Sequence, residues 1–212
     1  MEMYMEEILT SLMPSMVINL LSSVLGIVSY VLTALALYTI AKRRGLNNPW
    51  MAWIPVANLW LLGSISDQYR YVARGEVKSK RKVLLVLDIL LILVLIGFFA
   101  TFVAFIVQAV IQSMSHSYGT NEEMIRPLIA MLALLLPMAG LSIAMSVVQY
   151  MALYDVYASC DPNNKVLYLV LSIFISLAQP IILMILRDKD AGMPPRRPAP
   201  FYAIPNQTWQ DQ

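Results

Sequence analysis

Apolar residues run in long blocks over 14–41, 83–112, 128–154 and 166–186, and most polar residues gather between them. A run of about 18 apolar residues suffices to cross a hydrocarbon core roughly 30 Å thick, and every block reaches that length. None alternates strictly, and a backbone in lipid must satisfy its own hydrogen bonds, so the blocks read as helices. The pattern predicts an all-α, polytopic membrane helix bundle with three to four spans over residues 1–190. Beyond it, 191–212 is rich in proline and poor in aliphatic residues, which predicts a disordered, extended tail.

Charge placement predicts how the spans are threaded. Lys42, Arg43 and Arg44 follow the first block, and Arg70, Arg74, Lys78, Lys80, Arg81 and Lys82 precede the second. Basic residues near span ends stay cytoplasmic, so the N-terminus, with Glu2, Glu6 and Glu7, is expected outside. The stretch between the basic groups must then begin and end on one side. It contains Trp50, Trp53, Pro55, Asn58 and Trp60, and the three tryptophans fall within about 80° on a helical wheel. Tryptophan favours the headgroup level, so 49–66 is expected to be an interfacial or re-entrant segment.

The last block is ambiguous. Its length allows a full span, yet Arg187, Lys189, Arg196 and Arg197 argue for a cytoplasmic tail, and Gln179-Pro180 interrupts the run. An internal repeat bears on the choice. At an offset of 116 residues, Ala36-Leu37-Tyr38 matches Ala152-Leu153-Tyr154, and Asn47-Asn48 matches Asn163-Asn164. The match equates 166–186 with the Trp-rich segment and favours a tail on the cytoplasmic side.

Two rows of small residues suggest helix contacts. Ser22, Gly26, Ser29, Thr33 and Ala36 make one seam, and Ala133, Pro137, Gly140 and Ala144 another. Small residues let helices approach closely in lipid. The two seams are expected to pack together or to form a homodimer face.

Composition narrows the chemistry. The chain is 59% hydrophobic and 13% charged, where globular domains carry about 25% charged residues. One cysteine, Cys160, excludes an intrachain disulfide and a cysteine metal cluster. His116 has no second ligand-type residue near it, so no metal or other cofactor is expected. No nucleophile elbow, phosphate-binding loop or zinc-protease motif occurs, and none of the usual catalytic constellations is present. Asp88 reads as the acidic residue inside a span; buried charge marks ion paths or partners, yet about 9 Å from Lys82 it also lies near the interface. The basic group Arg70, Arg74, Lys78, Lys80, Arg81 and Lys82 suits anionic lipid head groups. So short a patch against lipid excludes nucleic acid as a partner.

The stretch KRRGLNNPWMAWIPVANLWLLG at 42–63, with YDVYASCDPNN at 154–164 and RDKDAGMPPR at 187–196, resembles a loose group of small, uncharacterised bacterial membrane proteins. They share a Trp-x-Ala-Trp-Ile-Pro-Val-x-Asn segment. The resemblance implies residence in the cell membrane and brings no catalytic residue with it.

Three functions are open at this point. A non-enzymatic accessory or scaffold protein, assembled with itself or with another membrane protein, accounts for the missing catalytic groups. An oligomeric transporter or channel subunit would use Asp88 and the breaks at Pro55 and Pro180. A membrane enzyme is the third, with no constellation to support it.

Overall fold

The computed structural model describes residues 2–77, 79–115 and 121–194. Six α-helices form among these residues, and no strand: α1 Glu2–Arg43, α2 Pro55–Arg74, α3 Lys80–Ser115, α4 Asn121–Cys160, α5 Lys165–Phe174 and α6 Ala178–Leu186. Three segments are long and apolar enough to cross a membrane: Met13–Arg43, Lys80–Ile111 and Ile125–Cys160. The chain is a polytopic, all-helical membrane protein.

The Trp-rich stretch is more than an interfacial turn. Asn48 takes a left-handed conformation, with φ of 59°, and redirects the chain after α1. Pro49 then opens a short 3-10 turn, Pro49–Trp53, and Pro55 opens α2. Proline suits a first helical position because its missing N–H would have no partner there. Asn58 Nδ2 donates to the Ala52 carbonyl at 3.0 Å, and Tyr30 Oη donates to the Trp53 carbonyl at 2.6 Å. The motif therefore ties a tight corner to α1. Trp50 and Trp53 stay exposed, as does Pro55, while Asn58 is buried and Trp60 half-buried. Beyond the corner, α2 continues to Arg74, and its residues 61–66 are all buried. What reads in sequence as a basic linker is in large part a packed helix.

The final apolar block does not form one helix. It divides at Ile175 into α5 and α6, each about half the length of a span. After α6 the chain returns to the ends of α1 and α4. Arg43 Nη2 donates to the Lys189 carbonyl at 3.0 Å, and the Ala191 and Gly192 amides donate to the Cys160 and Ser159 carbonyls. The two amide bonds cap carbonyls that the end of α4 would otherwise leave orphaned. Residues 187–194 thus lie at the same end of the bundle as Arg43 and Arg44. Ordered packing extends a few residues past the expected boundary at 190, and 195–212 lie outside the described residues.

The repeat is visible in the packing. In each half a long helix is followed by a short element and a further helix, and each long helix packs on the third element of the other half. Thus α1 lies on α6, and α4 lies on α2. The matched positions Ala36 and Ala152, Leu37 and Leu153, and Ile40 and Val156 all sit in one buried core. The small-residue seams, however, do not meet. α4 runs antiparallel along α3, and α1 and α4 do not pack backbone on backbone. Ala133, Pro137, Gly140 and Ala144 are exposed, as are Ser22 and Gly26; Ser29 and Thr33 are half-buried and only Ala36 is buried. A Cβ added at Gly26 or Gly140 would meet no atom within 4 Å. Of the two expected arrangements, packing of one seam on the other within a chain is excluded.

Candidate functional site

Polar residues concentrate at the end of the bundle where α1 and α4 finish and α3 begins. Asp155, fully buried about one and a half turns from the end of α4, is the hub. Its Oδ2 accepts from Ser66 Oγ at 2.6 Å, Arg70 Nε at 2.7 Å and Lys80 Nζ at 2.7 Å. Ser66 and Arg70 lie four residues apart on α2, one turn, so both side chains leave the same face. Lys80 is the first residue of α3 and also donates to the Met151 carbonyl at 3.0 Å. One carboxylate therefore fastens three helices. Its hydrogen bond to Arg70 pushes that guanidinium further above its already high pKa.

Asp67, the neighbour of Ser66, completes the α2–α3 joint. Its two carboxylate oxygens accept the backbone amides of Lys80 at 2.9 Å and Arg81 at 3.2 Å. Negative charge at a helix N-terminus satisfies orphan donors and opposes the helix dipole. Gly63 lets the helices come this close: a Cβ there would lie 2.5 Å from the Arg81 Cα.

A second knot fastens residues 187–192. Arg44, only 7% exposed, donates to Asp190 Oδ1 from Nε at 3.0 Å and from Nη2 at 2.8 Å. Nη2 also reaches Ser159 Oγ at 2.9 Å. Arg43 pairs with Asp190 as well. Gly192 crosses so close to α4 that a Cβ would lie 2.0 Å from the Ala158 carbonyl oxygen. At the α4–α5 corner, hydrogen bonds led by the Asn164 side-chain amide hold the Asp161 carboxyl below the usual carboxylate range.

The six basic residues expected at lipid head groups are thus divided. Arg70 and Lys80 turn inward to Asp155, a correction to their reading as a simple surface patch. Arg74, Arg81 and Lys82 are exposed, and Arg81 lies over the Trp60 ring at 6.0 Å. Lys78 lies outside the described residues, as does His116.

Asp88 is not the one acidic residue within a span, since Asp155 is another. It is 8% exposed and makes no hydrogen bond or ion pair with a described residue, Arg81, Lys82, Gln149 and Tyr150 among them. Asp155, Arg44 and Asp190 escape sequence reasoning because each sits beside an apolar block among other polar residues. The available signal is a carboxylate within Leu153-Tyr154-Asp155-Val156-Tyr157, where Leu153, Val156 and Tyr157 are core residues.

These clusters hold helices together. Among the described residues, no group of three or more His, Cys, Asp or Glu side chains is arranged to hold a metal ion. Comparison with protein-family models, with curated proteins and with solved structures finds no match for this chain.

Proposed function

We propose that the protein is an integral membrane accessory or scaffold protein without catalytic activity, which assembles with a second copy or with another membrane protein. The observation that carries this reading is the uncovered half of α1. Residues 13–28 are all exposed, with Ser22 and Gly26 on an open face, whereas the charged end is closed by its own ion pairs. A single helix standing apart from its bundle, with small residues on its surface, suits close contact with another helix. The basic residues at the closed end favour a cytoplasmic position for that end in the cell membrane, with the N-terminus outside and the tail inside.

Extraction of the tagged protein into lipid nanodiscs from its own host, followed by mass measurement, tests this. A defined complex or homo-oligomer is expected, and Gly26→Leu with Gly140→Leu should dissociate it while leaving the monomer folded. A monomeric wild-type particle would refute the reading. A second reading, a transporter or channel subunit, is favoured by the buried, unpartnered Asp88, since carboxylates within the membrane often serve ion paths. Under that reading Asp88→Asn abolishes ion-coupled flux in reconstituted vesicles; under the first it leaves assembly intact.

A further inference from the structure

Between α4, α2 and α5 lies a groove of about 380 Å³. Val147, Tyr150, Met151 and Tyr154 of α4 wall it, together with Leu169 of α5 and Arg70 of α2. Its polarity runs along α4. Arg70 bonds to Asp155, the residue after Tyr154, so the guanidinium lies at the charged end of the bundle. Lys165 Nζ sits over the Tyr154 ring, 5.5 Å from its centre, at that same end. Val147 lies two turns deeper, roughly 10 Å along the helix. Between the ends the walls are aliphatic and aromatic.

A cationic mouth beside a tyrosine ring, followed by about 10 Å of apolar wall, matches the head group and upper acyl chain of a phospholipid. The charge points to an anionic one. Asp155 and Glu76 offset part of the charge on Arg70 through its Nε and Nη1, at 2.7 and 3.3 Å. Its Nη2 makes no hydrogen bond to a described residue, and Lys165 adds a further positive charge. Tyrosine belongs at this depth, with its ring in the apolar layer and its hydroxyl at the surface.

We propose that this groove binds an anionic phospholipid, with the phosphate beside Arg70 and Lys165 and an acyl chain along α4 toward Val147. The site is complete within one chain, so it stands independently of the assembly proposed above.

The test uses the full chain in nanodiscs of equal parts phosphatidylglycerol and phosphatidylcholine, extracted gently, with the retained lipids counted by native mass spectrometry. Phosphatidylglycerol should be retained in excess. Lys165→Gln should lower that excess about five-fold, the equivalent of about 1 kcal/mol for one cation at an anionic surface. Val147→Trp, which fills the deep end, should remove retention of either lipid, and Lys165→Gln carries the test alone if that variant misfolds. Lys42 supplies the control: its Nζ lies over the ring of Tyr38, the repeat counterpart of Tyr154, at 5.8 Å, and neither Lys42 nor Tyr38 lines the groove. Lys42→Gln should leave the lipid ratio unchanged. Equal retention of the two lipids by the wild type, or an equal loss with Lys42→Gln, would overturn the proposal.

Discussion

Replacing Asp155 with alanine should lower the unfolding free energy by about 3–5 kcal/mol, the usual cost of removing one partner from a buried ion cluster. The size follows from what remains. Lys80 and Arg70, at 9% and 11% side-chain exposure, would keep their charges and lose the acceptor that offsets their desolvation. A companion variant separates pairing from burial. Asp155→Leu combined with Arg70→Met and Lys80→Met removes all three charges at similar volume, and should recover most of the lost stability. Equilibrium unfolding in mixed detergent micelles reads both. A loss below about 1 kcal/mol for the single variant, the range of surface pairs, would mean that the cluster behaves as an exposed one.

The second large effect concerns Gly63. Valine there would place its Cβ 2.5 Å from the Arg81 Cα and 2.7 Å from the Arg81 backbone nitrogen, so α2 and α3 must move apart. Overpacking of this kind costs about 1–3 kcal/mol. The separation would also stretch the bonds from Asp67 to the first amides of α3, so the loss should reach the upper part of that range. Gly140→Val supplies the comparison, because the space around Gly140 is open. A thermal melt in detergent should therefore shift strongly for Gly63→Val and barely for Gly140→Val; similar shifts would contradict the close α2–α3 approach.

The membrane architecture was legible because it rests on runs of residues. Three of the four apolar blocks form helices long enough to span, and the last divides into two short helices that bring residues 191 and 192 back to the end of α4. What could not be read was pairing at a distance. Asp155 draws its donors from residues 75 to 89 positions away, and nothing in local periodicity links Ser66, Arg70 and Lys80 to one carboxylate. A count of basic residues before α3 likewise cannot tell Lys80, which is buried, from Lys82, which is exposed. The seams illustrate the same limit. Small residues at helical spacing mark a face fit for close contact, but they do not name the helix that meets it. Loop length and the antiparallel course of α3 and α4 decide that, and they leave Gly26 and Gly140 uncovered.

The clasp between Arg44 and Asp190 sets a clock on biogenesis. The two residues are 146 positions apart, so at about 5–20 residues per second the ribosome needs on the order of 7–30 s to deliver the carboxylate after the guanidinium. During that interval α1 is already made, and Arg44 waits at its end without the acid that will enclose it. The insertion machinery must hold an open, charged half-product, and the bundle locks shut only when residues 187–192 emerge.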